Sequence, residues 1–299
     1  MRVIKVTENE MDQRLDRFLT KYLNNTTKTN IFKLIRKKRI KVNGKRAEEK
    51  YFLKLDDEIQ IHLHDNAIEE LMKPLVQYSA EDVELDVVYE DDDILIVNKP
   101  VGLLTHPDSN EYKNTLSSKV QVYLKHLSTR TFKPASIQRL DKNTSGLVIF
   151  GKTYSALKEY NALMRDRKIG KFYMAVVSGK PKDQGQVKGY LVKDEATNKV
   201  KISSKSSDES KFVHTKYKVL SSNGTYSLLE VELLTGRTHQ IRGSLAYAGF
   251  PIVGDVKYGG EKLKGQNQLL HAYKVVIGEN VYEKRSDAIN TFVKQHNLD

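Results

Sequence analysis

Beyond residue 83 the apolar residues of this chain come in short runs, and no other feature constrains its fold as much. The runs lie at residues 87–89, 94–97, 147–150, 172–177, 215–220, 227–233 and 269–277. Segments with helical spacing fall between them at 115–126, 154–166 and 238–248. Strands therefore outnumber helices and do not alternate strictly with them. This predicts an α+β fold built on a mixed, mostly antiparallel sheet with flanking helices. A chain of 299 residues has room for such a domain and a small second one.

The small unit is expected at the N-terminus. Leu15, Phe18, Leu19 and Tyr22 recur at helical spacing, and Thr27 or Thr29 can cap a second helix carrying Ile31, Phe32, Leu34 and Ile35. Short strands are predicted at 40–42, before the turn Asn43-Gly44, and at 58–62, after Asp56-Asp57. The stretch 65–82 is polar, holds Pro74, and reads as a linker, so the domains are set at 1–75 and 76–299. Residues 193–211, rich in Lys, Ser, Asp and Glu, read as a mobile surface excursion.

Charge points to the partner. Lys and Arg number 50 against 38 Asp and Glu, a formal net charge of +12. A basic excess favours polyanions because phosphate contacts release counterions, but total charge alone fits an unspecific solvated surface equally well. Its distribution is more telling. Lys28, Lys33, Arg36, Lys37, Lys38, Arg39, Lys41, Lys45 and Arg46 fall within one stretch that contains no acid. A merely solvated face would interleave both signs, so this stripe reads as a surface for a polyanion.

Other classes are disfavoured. No apolar run approaches the roughly 20 residues that cross a bilayer. The first residues turn acidic quickly and form no signal-peptide core. The absence of Cys removes disulfides and thiolate chemistry and makes a structural zinc site unexpected. His106, His239 and His271 share no ligand spacing, so structural or RNA-contacting roles are expected and metal is not. No glycine-rich phosphate loop or nucleotide fingerprint is present. The expectation is a cytoplasmic, cofactor-free protein, a monomer, with no membrane or nucleotide cofactor.

The chemistry concentrates at Gln138-Arg139-Leu140-Asp141-Lys142-Asn143-Thr144-Ser145-Gly146, just before the apolar run Leu147-Val148-Ile149-Phe150. A turn here puts a carboxylate at the rim of a buried strand, where partial desolvation and a cation would tune it. An isolated Asp in a polar turn is usually only a cap. Here three further blocks accompany it in order: residues 98–107 (Asn98-Lys99-Pro100 to Pro107), 168–175 around Tyr173, and Leu234-Thr235-Gly236-Arg237-Thr238-His239-Gln240-Ile241-Arg242. The last continues to Gly254-Asp255, with Leu270-His271-Ala272 beyond it.

Together these blocks resemble the RluA-type pseudouridine synthases, and the N-terminal helices with the Lys-Val-Asn-Gly-Lys turn resemble the alpha-L RNA-binding module. The resemblance implies an enzyme that isomerises uridines in RNA, with large-subunit ribosomal RNA as the expected substrate and partner. It implies that Asp141 is the catalytic carboxylate, acting as nucleophile on the sugar carbon or as base at its neighbour; the sequence does not choose between them. Arg242 would supply the cation, Tyr173 would lie beside the base, Leu270 would pack on it, and Arg139 would help extrude the nucleotide. Arg237 is counted with the RNA contacts. Two departures stand out: Gln138 replaces the usual His, and Gly243-Ser244 replaces Val-His. Gln carries no charge, so no titrating role remains at 138. The rival readings are a non-catalytic RNA-binding assembly factor, a transfer-RNA enzyme of the same family and, least favoured, a DNA-binding regulator.

Overall fold

The computed structural model describes residues 1–74, 83–265 and 267–298. The N-terminal unit runs β1 (Arg2–Lys5), α1 (Leu15–Tyr22), α2 (Lys28–Arg36), β2 (Ile40–Val42), β3 (Lys45–Arg46), β4 (Glu58–Ile61) and α3 (Asp65–Glu70). Its strands form an antiparallel sheet in the order β1-β4-β2-β3. Leu15, Phe18 and Leu19 of α1 and Ile31 and Ile35 of α2 bury against Ile40, Ile59 and Ile61 in one core. Thr27 is the cap of α2, its hydroxyl accepting from Asn30 N at 3.2 Å. The helix ends where Lys38 turns left-handed (φ 58°) and Arg39 N donates to Leu34 O at 3.0 Å. Asn43 and Gly44, both at positive φ, close the hairpin between β2 and β3.

The expected linker begins later than the sequence suggests. Residues 65–70 form α3, because Ile68, with Met72 just beyond, finds space in the N-terminal core. The expected boundary at 75/76 lies outside the described residues.

The larger unit runs β5 (Val87–Glu90), β6 (Ile94–Lys99), α4 (Leu116–Tyr123), β7 (Ala135–Ser136), β8 (Ser145–Gly151), α5 (Tyr154–Arg165) and β9 (Ile169–Ser178). It continues with β10 (Gln184–Asp194), β11 (Lys199–Ser203), β12 (Lys211–Ser222), β13 (Tyr226–Leu233), α6 (Gln240–Tyr247), β14 (Leu270–Ile277), β15 (Asn280–Glu283) and α7 (Asp287–Gln295). The main path of the sheet is β11-β10-β12-β13-β9-β14-β8-β6-β5, and its pairings are antiparallel except β14 with β8. The fold is thus α+β with a mixed, mostly antiparallel sheet.

Because both faces of the central strands are covered, their sequences read as apolar runs rather than alternations. On one face Leu95, Val97, Val148, Phe150, Tyr173, Ala175 and Leu270 pack against α4 and against Ile241 and Leu245 of α6. On the other, Ile94, Ile96, Leu147 and Ile149 pack against α5, and Val176 and Leu269 against Ile289 and Phe292 of α7. Gly146 is required at the parallel junction: its φ is 119°, and a Cβ there would lie 2.3 Å from Ala272 O.

The excursion expected at 193–211 contains the strand β11, between the end of β10 and the start of β12. Val200 and Ile202 of β11 pack with Leu191, Val213 and Tyr258, so a sequence dominated by charge carries an apolar underside.

A polar seam joins the two units. Glu10, 5 % exposed, accepts from the Thr131 hydroxyl at 2.7 Å and the Thr129 hydroxyl at 3.2 Å, and also from Thr7. Asn9 Oδ1 accepts from Tyr154 N at 3.1 Å at the start of α5, and Arg130 Nη1 donates to Lys73 O at 3.1 Å. Removing the buried acceptor leaves several donors unpaired. Glu10→Ala is expected to cost about 1–3 kcal/mol, read as a lower urea midpoint, whereas Glu8→Ala on the exposed neighbouring surface shifts it little.

Candidate active site and nucleic-acid face

Asp141 sits in the loop that leads into β8, and that loop is held from below. Lys99, wholly buried, donates from Nζ to the carbonyls of Pro100 (2.9 Å), Leu103 (2.8 Å) and Lys142 (3.0 Å). Gly102 N adds a bond to Lys142 O at 2.9 Å, and the Thr105 hydroxyl accepts from Leu140 N and donates to Leu140 O. The residues flanking Asp141 are therefore tied to the loop after β6. Burial pulls the Lys99 ammonium down to about 7, opposed by the charge of Asp141.

Arg242 is the hub. Its Nε and Nη2 make a two-point pair with Asp255 at 2.7 and 2.8 Å, and its Nη1 reaches Asp141 Oδ2 at 3.2 Å. Asp255 is 2 % exposed and Arg242 7 %, whereas the Asp141 side chain keeps a quarter of its surface open (25 %). Burial opposes the charge on Arg242, but Asp255 and then Asp141 outweigh it, so its pKa lies above the ordinary arginine value. The guanidinium also lies over the Tyr258 ring, 4.9 Å from its centre.

Helix α6 aims this cation. The Gln240 side chain pins its first turn, accepting from the Thr235 hydroxyl (2.8 Å) and Arg237 N (3.1 Å) and donating to the Thr215 hydroxyl (3.0 Å). Ile241 and Leu245 face the core four residues apart. His239 and Arg242, three apart, both approach Asp141. His239 sits just before α6 in a left-handed conformation (φ 53°), with Nε2 3.8 Å from Asp141 Oδ2 and Nδ1 2.9 Å from the Tyr258 hydroxyl.

The apolar floor comes from the sheet. Tyr173 of β9 and Leu270 of β14 are buried in the same cluster as Leu140, the residue before Asp141. Burial and the nearby Asp141 charge raise the Tyr173 pKa well above the usual phenol range, so its hydroxyl stays protonated. Arg139 is exposed beside Asp141, and Arg237 is exposed at the turn into α6. The structure therefore brings Asp141, Tyr173, Arg242 and Leu270 into one neighbourhood, with Arg139 at its edge.

Both sequence departures have structural partners. Gln138 spans backbone groups of β8, its Oε1 accepting from Ile149 N and its Nε2 donating to Leu147 O, both at 3.4 Å. Gly243 makes room for β11, since a Cβ there would lie 2.8 Å from Val200 Cγ2. The Ser244 hydroxyl is buried 3.2 Å from that of Thr215.

His106 and His271 hold loops and strands together. His106 bonds the Ser117 and Ser136 hydroxyls, and His271 bonds the Ser145 hydroxyl and Lys284 O. Sequence reasoning misses the roles of Lys99, Asp255 and Tyr258 and the place of His239 beside Asp141. The signals were present in Asn98-Lys99-Pro100 and Gly254-Asp255, but only tertiary contacts distinguish these residues from surface ones.

The basic stripe is a separate face. Lys28, Lys33, Arg36, Lys37, Lys38, Arg39, Lys45 and Arg46 are exposed and Lys41 is half-buried. None of the nine forms a salt bridge among the described residues. Lys37, Lys38, Arg39, Lys41 and His62 line one open hollow.

The chain is similar to several known proteins. Residues 93–247 match the model of a family described as RNA pseudouridylate synthase, and residues 13–59 match the S4 domain. A protein of Rickettsia bellii named ribosomal large subunit pseudouridine synthase C is 34% identical over 292 residues, covering 94% of this chain and 95% of that one. A Borreliella burgdorferi protein named ribosomal large subunit pseudouridine synthase D is 31% identical, covering 95% and 87%. A Chlorobaculum parvum protein named uncharacterized RNA pseudouridine synthase is 33% identical over 86% of this chain and 78% of its own. The solved structure of human RNA pseudouridylate synthase domain containing 4 superimposes with a TM-score of 0.60 at 22% identity, covering 71% of this chain and 93% of that one.

Two substitutions probe the supports of the site. Arg242→Met leaves the buried Asp255 carboxylate without its partner and is expected to cost about 3–5 kcal/mol of stability. Lys99→Met leaves the carbonyl cage short of donors and is expected to cost about 2–4 kcal/mol. Urea unfolding measures both.

Proposed function

The chain belongs to the RNA pseudouridine synthases of the RluA family, and we propose that it isomerises specific uridines in large-subunit ribosomal RNA by flipping each target base into the cleft at Asp141. The observation that carries this reading is one partly open carboxylate held against a buried guanidinium, over a floor of Tyr173 and Leu270. The names of the relatives from Rickettsia bellii and Borreliella burgdorferi support the choice of RNA. The unneutralised stripe on the S4 domain supports phosphate contacts away from the cleft.

The reaction breaks the bond from uracil N1 to the sugar C1′ and joins C5 to that same carbon. C5 loses its proton, N1 gains one, and no water is consumed. One carboxylate suffices, in contrast to the pairs used in glycoside hydrolysis. Asp141 acts as the nucleophile at C1′ or as the base at C2′, and both routes need it ionised within a largely apolar pocket. Arg242 provides for that ionisation, and because Asp255 fixes two of its nitrogens the charge is preorganised rather than recruited.

The detached uracil has to be held while it turns, and the Tyr173 ring and Leu270 offer it an apolar seat. The Tyr173 hydroxyl, protonated, donates or relays a proton. Extrusion costs a few kcal/mol of lost stacking, and exposed Arg139 beside the cleft fills the gap. The enzyme acts as a cytoplasmic monomer, with no cofactor and no metal. Lys28, Lys33, Arg36, Lys37, Lys38, Arg39, Lys41, Lys45, Arg46 and Arg237 contact the RNA backbone.

Tritium release from uracil-C5-labelled, unmodified large-subunit ribosomal RNA tests the reading. Wild type is expected to release tritium, and Asp141→Ala to release none above background. Absence of release by wild type rejects this substrate. A quadruple Gln variant at Lys33, Arg36, Lys37 and Lys41 is expected to flatten the salt dependence of binding by about 3 in log–log slope, at roughly 0.7–0.9 per lost phosphate contact.

A further inference from the structure

One chain of polar contacts starts at the edge strand β11 and ends at Asp141. Val200 N, on β11, lies 2.9 Å from the Tyr258 hydroxyl, and a backbone N–H can only donate. The Tyr258 oxygen is therefore the acceptor in that bond. Its own proton is left to be donated, and His239 Nδ1 stands 2.9 Å away. A nitrogen that accepts from Tyr258 carries no proton, so the hydrogen of the neutral ring belongs on Nε2. Nε2 is the atom that faces Asp141 Oδ2, at 3.8 Å.

We propose that His239 is a positioning residue of the reaction, held by Tyr258 as the Nε2–H tautomer and presenting that donor to Asp141 Oδ2. Oδ2 then lies between two donors, His239 Nε2 and Arg242 Nη1, while Oδ1 accepts no hydrogen bond among the described residues. The carboxylate is oriented by one oxygen and leaves the other for the ribose. The separation of 3.8 Å is beyond hydrogen-bond length, and such contacts tighten once substrate fills the site.

The charged surroundings agree with a neutral ring. Burial lowers the His239 pKa, Arg242 and Lys257 lower it further, and Asp141 and Asp255 oppose them without reversing the direction. Burial raises the Tyr258 pKa, so the donating proton is retained at neutral pH. The left-handed backbone at His239 suits a side chain fixed by its partners. The relay also gives the departure at Gly243 a consequence: the space left by the absent side chain admits Val200, whose N–H orients Tyr258.

The proposed effect on catalysis rests on Asp141 acting at the sugar, but the tautomer itself is measurable without turnover. In full-length protein with ¹⁵N-labelled histidines, the His239 signals are assigned by their loss in His239→Gln. Wild type is expected to show a protonated Nε2 and an Nδ1 with the shift of a hydrogen-bonded acceptor, and Tyr258→Phe to lose that acceptor shift. A proton on Nδ1, a charged ring at pH 7, or an Nδ1 signal unchanged in Tyr258→Phe overturns the assignment.

On the RNA of the tritium assay, His239→Ala is expected to lower kcat about 10²-fold, as loss of one preorganised donor does. His239→Gln, whose amide N–H stands in for Nε2–H, is expected to recover most of that loss, and His239→Asn is not. Equal defects in the Gln and Ala variants overturn the donor role. A silent wild type beside the expected tautomer refutes the substrate assignment while the ring assignment stands.

Discussion

The arrangement depends on where a single guanidinium is placed. Arg242 is buried on a helix, and a buried cation is tolerated only when paired and hydrogen-bonded. Asp255 takes two of its nitrogens, and the remaining one reaches Asp141. Asp255 has almost no access to solvent, whereas Asp141 keeps part of its surface open, and the proposed chemistry is assigned to the open one. Two carboxylates share one cation, one of them buried and the other partly open to solvent.

This division of labour is built by segments far apart in sequence. The Asp141 loop is tied by Lys99 to the end of β6, Arg242 is aimed by α6, and Asp255 and Tyr258 come from the turn beyond that helix. The floor is contributed by β9 and β14, neighbours in the sheet. Wrapping the sheet's two faces differently makes this possible. α5 and α7 cover one side, whereas α4 and α6 pack on the other, where Arg242 of α6 meets Asp141. The N-terminal unit, joined to the larger one through Glu10, carries the nine cations of its basic stripe without a salt bridge among the described residues.

Much of this was legible in the sequence, and what was missed has identifiable causes. The apolar runs become strands because both of their faces are buried, and Thr27 and Asn43-Gly44 act locally as their chemistry dictates. Asp141, Tyr173, Arg242 and Leu270 could be named because each stands in a block with a recognisable pattern. The hairpin strand β11 was hidden because Lys199-Val200-Lys201-Ile202 exposes its charges and buries its apolar side on residues met only in the folded chain. The helix α3 was obscured by its polar composition, since Ile68 and Met72 are its main anchors. The position of His239 beside Asp141 was equally invisible, being set by the turn before α6 and by a tyrosine 19 residues away.

The central claim is that the free face of Asp141 meets the sugar of an extruded nucleotide while Arg242 holds the other oxygen. A crystal structure of the protein with RNA bearing 5-fluorouridine at a mapped target tests it most directly. The expected structure has that nucleotide out of its stack, its C1′ beside Asp141 Oδ1 and its base against Tyr173 and Leu270. A target base still stacked in its helix, or lodged away from Asp141, would contradict it.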